Sequence, residues 1–528
     1  MEKFFNTAGP SNLNKHYCLN PLERISLEDI IYLINSEKYF ILHAPRQTGK
    51  TTCLLALMEY LNKQNDYKCL YINVETAQVA RENVSRGIKA IISELASNAR
   101  DFLSDDFPLK NMVEIIQKYG EEKGLNEILT QWSNNNQKPL ILLIDEIDSL
   151  VGDTLISVLR QIRAGYSKRP ANFPQSIILC GVRDIRDYRI HSGKEKSVIT
   201  GGSAFNIKAE SLKIGDFSKE DIFRLYQFHT IETGQEFEEG VFDLVWDLTC
   251  GQPWLVNALG YETCFKMKKG RDRTKKITKD MIIEAKENLI LRRETHLDQL
   301  VHKLQEERVK RVILPLLISS EYPKDIPTDD ISYVRDLGLI KTEGQIKIAN
   351  LIYQETIPRE LTYSTQVTIS HDPFWYIKQG GRLDIFKLLA AFQEFYRENA
   401  EIWLERFYYK EAGNHLLLQA FLQRIINSGG QIIREYGLGM MRTDLFIIWF
   451  YGEKKEHKQK FVIELKMIHI NLEKTIEKGL IQITKYMDKC KTDEGHLVLF
   501  DKSLKTWDEK IFQKKEVYEN KTVFIWGM

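Results

Sequence analysis

The chain has no CxxC pair, and its seven cysteines (Cys18, Cys53, Cys69, Cys180, Cys250, Cys264 and Cys490) are odd in number. That argues against a disulfide framework and against a zinc site, and it fits reduced thiols. Net charge is nearly absent: 74 Lys and Arg against 73 Asp and Glu leave a formal +1. A global basic excess for nucleic acid is therefore excluded, and any such contact has to come from a local patch. No apolar run approaches bilayer-spanning length, and "MEKFFNTAGP" lacks the apolar core of a signal peptide. A cytoplasmic protein without a membrane partner is expected. Internal repeats and low-complexity segments are also missing. What is there is an ordinary soluble composition, 43% hydrophobic and 28% charged, in 528 residues, enough for three or four domains.

From Tyr39 onward, the short apolar stretches "KYFILHAP", "KCLYINVE", "PLILLIDEID" and "SIILCG" alternate with helical patterns. This predicts an α/β fold with a parallel sheet flanked by helices. The chain then turns helical at "LKIGDFSKEDIFRLYQF", where Ser218 and Asp221 have capping-box spacing. "VKRVILPLLIS", "DDISYVRDLGLI" and "KTEGQIKIANLIYQETI" follow as helix, helix and wing, the pattern of a small winged helix. Polar "TYSTQVTISHDPF" is the linker candidate. Beyond it come a helix near 414–427, strands at "QIIREYG", "TDLFIIWFY" and "KFVIELKM", a helix at "NLEKTIEKGLIQITKYMDKC", and strands "GHLVLFD" and "TVFIWG". The expected layout is a core over 1–215, a helical lid over 216–300 and a winged helix over 301–365. A linker and packing helix over 366–399 and a second α/β domain over 400–528 complete it.

"APRQTGKTT" comprises Ala44, Pro45, Arg46, Gln47, Thr48, Gly49, Lys50, Thr51 and Thr52, between the strand "YFILH" and the helical "CLLALMEYL". It matches GxxxxGK[ST] except that Ala44 replaces the first glycine. Backbone N–H groups of such a loop surround phosphates, Lys50 reaches the terminal ones, and Thr51 binds magnesium. The helix that starts there adds its positive dipole end. The alternative is a glycine turn with a solvated lysine. In "PLILLIDEID" an apolar strand ends at Asp145, placed to hold the magnesium, and Glu146, placed to orient or activate a water. The alternative is a strand with an acidic end. Arg183, just past "SIILCG", is positioned either to sense the terminal phosphate or to make a surface ion pair.

These segments, with "TCGQPWLVNAL", resemble the AAA-like ATPases of the STAND-related P-loop class. The resemblance implies ATP as ligand, a glycine–x–proline motif at Gly251, Gln252 and Pro253 that sets Pro253 near the adenine, and a nucleotide-controlled switch. It extends to the winged helix over 309–361. No trans-acting arginine finger is recognisable, which leaves homo-oligomer assembly open.

"KQKFVIELKMIHI" (residues 458–470) sets Glu464 and Lys466 on one face of an otherwise apolar strand. Burying both is costly unless each has a strong partner. Twenty residues earlier, Asp444 opens the strand "TDLFIIWFY". If the two strands pair, Asp444 and Glu464 converge beside Lys466. Carboxylates suit a hard cation such as magnesium, and the lysine suits the nucleophile of phosphodiester cleavage. The alternative is a structural ion pair. Gln482 and Tyr486 share one face of the next helix. With this element order, D, ExK and QxxxY resemble the RecB-like branch of PD-(D/E)XK nucleases over about 400–528. The resemblance implies DNA as substrate, magnesium or manganese as cofactor, and an acid on the first helix, for which Glu411 is the candidate and His415 the runner-up. "GEKKEHKQK" reads as a solvated hairpin loop, and Trp375 and Tyr376 as packing aromatics between domains. The function expected from all this is an ATP-hydrolysing switch controlling a metal-dependent DNA nuclease. The rival readings are an ATP-responsive DNA-binding regulator with an inactive nuclease fold, and a nucleotide-holding scaffold.

Overall fold

Strands Leu140–Asp145 and Ser176–Gly181 bury every residue, which requires cover on both faces. The cover is helical. In this computed structural model the described residues are 2–528 except 185–188, 192–197, 201–204, 293, 317–325, 362–374, 405–409, 427–429, 439–440, 453–455, 469–470, 502 and 504. Side chains are also outside the description at 189–191, 198–200, 295, 299, 301, 399–404, 410–413, 424–426, 430–438 and 441–444.

The chain divides into two units, Met1–His296 with Ser332–Lys341, and Leu297–Ile331 with Thr342–Met528. The first begins with a parallel pair, β1 (Phe4–Phe5) and β2 (His16–Tyr17). Its main sheet holds β3 (Tyr39–His43), β4 (Lys68–Asn73), β5 (Leu140–Asp145), β6 (Ser176–Gly181) and β9 (Lys208–Lys213). All pairings are parallel, in the order β4-β5-β6-β3-β9. The short β7 (Arg189–His191) and β8 (Val198–Thr200) form an antiparallel pair. Strand alternation splits the core in two: Leu142 and Ile144 pack with Ile88, Ile91 and Leu95 on one face, and Ile141 and Leu143 with Leu54 and Leu57 on the other. Between β4 and β5 lie three helices, Val84–Leu103, Phe107–Tyr119 and Glu121–Asn134, the first capped by Asn83. The capping box at Ser218 and Asp221 forms and opens the lid helix Lys219–Thr233.

The next helices, Glu307–Leu316 and Thr328–Asp336, are followed by β10 (Ile340–Lys341), β11 (Lys347–Ile348) and the helix Leu351–Leu361. The two helices and a short strand pair follow in the expected order, but "LIYQETI", read as part of the wing, is helical, and the boundary between the units falls inside this region.

The second unit's sheet contains β12 (Gly430–Leu438), β13 (Met441–Tyr451), β14 (His457–Ile468), β15 (Glu494–Asp501), β16 (Phe512–Tyr518) and β17 (Lys521–Gly527). Its order is β12-β13-β14-β15-β17-β16. The first three strands are antiparallel, β14, β15 and β17 run parallel, and β16 closes the edge antiparallel to β17. Ile463, Leu465 and Val498 face a cluster with Leu388, Phe392 and Phe421 of the helices Ile385–Leu404 and Lys410–Ile426. Val462, Leu497 and Leu499 face Ile483, Tyr486 and Met487 of the helix Leu472–Cys490. Tyr376 belongs to the first of these clusters with Trp375 packed on it, so these aromatics pack inside the unit rather than between domains.

Candidate functional sites in the two units

The loop after β3 opens on Ala44, whose N–H donates to the Gly181 carbonyl at 3.2 Å, locking the loop to β6. The side chain of Ala44 is fully buried, so a methyl group is accommodated where a glycine is usual. Gly49 N-caps the Lys50–Gln64 helix at a φ of 90°, a left-handed conformation that costs glycine little. Lys50 is buried, and its Nζ donates to the carbonyls of Ala44 at 3.1 Å and Pro45 at 3.2 Å. The ammonium thus lies over the mouth of the loop on two weak acceptors that a phosphate would replace.

Asp145 is fully buried at the end of β5 and surrounded by donors. Thr51 Oγ1 donates to its Oδ2 at 2.7 Å, Tyr71 OH to the same oxygen at 3.1 Å, and the Glu146 N–H to Oδ1 at 2.9 Å. The threonine and the acid expected to share a magnesium are therefore in direct contact across 94 residues. Glu146 takes a left-handed φ of 56°, and burial pushes its carboxyl above the usual range, opposed by the charge of Lys50. Strand β6 lies between β3 and β5, so Arg183 emerges between the loop and the acids. It is not a surface residue. It stacks over Tyr333 at 4.8 Å, and its Nε is 3.8 Å from Asp336, which is itself buried.

A pocket beside the loop is lined by Arg24, Gln47, Thr48, Phe217, Pro253 and Trp254, and by the N-terminal residues Asn6, Thr7 and Leu19. Pro253 opens the helix Pro253–Tyr261, and Gln252 caps it by accepting from the Leu255 N–H. Arg24 donates to the carbonyls of Thr48 at 2.6 Å and Gly215 at 2.8 Å and stacks on Phe217. The N-terminal wall is tied at both ends: Trp254 Nε1 donates to the Thr7 carbonyl, and the Ser11 N–H to Thr52 Oγ1. Sequence reasoning missed this wall and Tyr71, because both lie far along the chain from the loop they meet. The group fits: Gln47 in the lining has a buried Oε1 without a hydrogen-bond partner among the described residues. That acceptor, the loop N–H groups and the apolar Pro253 and Trp254 suit a nucleotide.

In the second unit, Glu464 is fully buried on β14, and Lys466 Nζ donates to its Oε1 at 2.6 Å. Both stand at even positions, on the strand face covered by the Leu472–Cys490 helix. There Gln482 Nε2 donates to Tyr486 OH at 2.9 Å. Position 444 lies in β13, where Leu445 pairs with Ile463. The described pairing of the two strands ends there, so Asp444 and Glu464 each stand one residue past the end of the paired stretch. The side chains of Asp444 and Glu411 lie outside the described residues. His415 is buried, and its ring packs against Phe500. Part of "GEKKEHKQK" also falls outside the described residues. Among the described residues no group of three or more His, Cys, Asp or Glu forms a metal cluster, and no helix is long and apolar enough to cross a membrane.

Residues 34–188 match the AAA domain family. They carry the loop, both acids and Arg183, so the first unit contains an AAA-type P-loop ATPase domain that binds ATP. No curated protein matches the chain. Among solved structures, the chain is similar to the Walker-type ATPase PABY2304 of Pyrococcus abyssi, with 15% identity and a TM-score of 0.47 over 67% of this chain and 99% of that one. It is also similar to CDC6P from Pyrobaculum aerophilum, with 15% identity and a TM-score of 0.36 over 67% and 97%. The Thermotoga maritima RuvB Holliday junction branch migration motor shows 12% identity and a TM-score of 0.34 over 63% and 95%.

Proposed function

We propose that the protein is an ATP-hydrolysing switch of the STAND-related kind that controls a magnesium- or manganese-dependent DNA nuclease with a RecB-like PD-(D/E)XK fold. The ATPase half rests on the contact between Thr51 and Asp145 beneath Lys50. These two residues would hold the magnesium, which supplies charge neutralisation between phosphates when bound. Lys50 exchanges its two carbonyl acceptors for the terminal phosphate. Glu146 orients the attacking water and accepts its proton. Arg183 senses the terminal phosphate only after leaving Asp336, which ties occupancy of the site to the Ser332–Lys341 segment. We assign that segment to a winged helix over 301–365 that acts as part of the switch.

The observation that carries the nuclease half is the fully buried Glu464 with Lys466 beside it and the Gln482–Tyr486 pair on the covering helix. A carboxylate this deep, next to the end of the strand pairing beyond which Asp444 lies, suits a cation shared by positions 444 and 464, with Lys466 released toward the nucleophile. Glu411 would join them from the preceding helix. A second reading is favoured by the same contact: Lys466 already neutralises Glu464, as in an inactive fold that only binds DNA under ATP control. One experiment separates them. The pure protein is incubated with plasmid DNA, linear DNA and RNA, with magnesium or manganese, with and without ATP. Metal-dependent DNA cleavage that responds to ATP supports the switch-controlled nuclease; binding without cleavage under every condition supports the regulator.

A further inference from the structure

The helix Leu472–Cys490 carries Lys474, Lys478, Lys485 and Lys489, all exposed. At about 100° per residue these spacings keep the four within roughly 60° of one another around the helix, in a row about 22 Å long. Glu473, Glu477 and Asp488 form a second, separate row. The segregation works against the helix itself. Lys474 with Lys478, Lys485 with Lys489 and Glu473 with Glu477 are like-charge pairs four residues apart, each mildly destabilising. Lys474 and Lys478 also lie in the first two turns, where the helix dipole disfavours cations. Lys474, Lys478 and Lys485 join none of the ion pairs among the described residues. Lys474 and Lys485 have Glu477 and Asp488 three residues on, and Lys489 lies in the last turn, where the dipole favours a cation. The like-charge pairs four apart and the N-terminal position of Lys474 and Lys478 nevertheless leave the row as a whole suited to a partner of opposite charge.

We propose that this lysine row is a track for the phosphodiester backbone of duplex DNA, laid along the helix that carries Gln482 and Tyr486. The choice of DNA rests on the nuclease reading above. Gln482 flanks the row between Lys478 and Lys485, and its partner Tyr486 is buried toward the sheet face of Glu464. A backbone held on the lysines therefore runs past the candidate site rather than away from it. An anionic membrane fits less well, because Ile481 is the one large apolar side chain of this helix among the described exposed ones, and interfacial helices need an apolar face.

The test uses the full chain in EDTA, so that binding is measured without cleavage. A fluorescent 30-base-pair duplex (about 30 pairs, longer than the row) is titrated from low to high salt against the parent, K474A/K478A/K485A, the triple Arg variant and E473Q/E477Q. The triple Ala variant should bind more weakly, with the slope of log affinity against log salt reduced by about two to three, roughly 0.9 per lost phosphate contact. The Arg variant should restore the slope, and E473Q/E477Q should not weaken binding. An unchanged slope in the triple Ala variant, or no duplex binding by the parent, overturns the proposal. So does loss of binding to phosphatidylserine vesicles with duplex binding intact. A melting temperature equal to the parent's confirms that the triple variant is folded; if it is not, the single variants are read for a slope change of about one each. Lysine-dependent binding without cleavage under any metal condition would sink the nuclease reading and leave the track standing. Cleavage with a lysine-independent slope would do the reverse.

Discussion

At the scale of single residues, the ATP site turns on what each side chain gives up when phosphate arrives. Lys50 loses two neutral acceptors and gains charged ones, so K50A should weaken ATP binding by about 10- to 100-fold, matching a charge-assisted bond of roughly 1.5–3 kcal/mol, and abolish hydrolysis. A fluorescent nucleotide titration and phosphate release check both. E146Q should bind ATP like the parent and hold it unhydrolysed; normal turnover would remove Glu146 from its role. The raised carboxyl pKa of Glu146 also has a stability sign. The folded value lies above the unfolded one, so the native state holds the extra proton between them, and stability declines as pH rises through the folded value. In thermal melts without nucleotide, the parent should therefore lose stability relative to E146Q from acid to neutral pH. Tyr71 is a positioning residue: its hydroxyl shares Asp145 Oδ2 with Thr51. Y71F should raise the magnesium concentration for half-maximal hydrolysis several-fold while leaving magnesium-free nucleotide binding unchanged. An equal loss in the magnesium-free titration would reduce Tyr71 to a packing role.

At the scale of elements, the segment Ser332–Lys341 carries the clearest consequence. Gly338 has a φ of 78°, and a Cβ there would lie 2.8 Å from the Pro45 ring, so the segment rests directly on the phosphate loop. Asp336 meets Arg183 from one side and accepts from Arg335 at 3.0 Å on the other. D336N keeps the size and removes the charge, so Arg183 should leave the segment more readily. Release of a bound fluorescent nucleotide should then be several-fold faster than in the parent, by stopped-flow fluorescence. Unchanged release would show that the segment does not gate the site. The phosphate loop itself was legible because its residues are contiguous, and β5 because five apolar residues run into two acids. Asp336 was legible only as a helix residue, since its partner lies 153 positions away by number, Arg183 to Asp336. The edge strand β16 was missed because "FQKKEVY" exposes most of its side chains and reads as a charged loop. The N-terminal wall of the pocket was missed because two-residue strands leave no periodic signal.

For the whole molecule, the two candidate sites stand in separate units, so their chemistry should separate by mutation. On the nuclease reading, D444A, E464A and K466A should each eliminate metal-dependent cleavage with ATP binding intact, and K50A should leave the proposed metal site of the second unit able to bind manganese. Stability should discriminate among the three. Like charges at 444 and 464 alone would make removal of either carboxylate stabilising, yet Lys466 already sits on Glu464 at 2.6 Å. The two partners are not equally buried: the Glu464 side chain is 0% exposed and that of Lys466 26%. After E464A the lysine can turn to water, whereas K466A leaves a carboxylate in the core with its cation gone. Breaking a fully buried pair costs about 3–5 kcal/mol, and K466A should fall toward the low end of that range, with E464A clearly less. A divalent cation should reverse the order: manganese should restore much of the melting temperature lost in K466A, because it replaces the missing positive charge, and should do nothing for E464A. If manganese stabilises neither variant and fails to stabilise the parent, Glu464 and Lys466 are a structural ion pair, and the second unit binds without cutting.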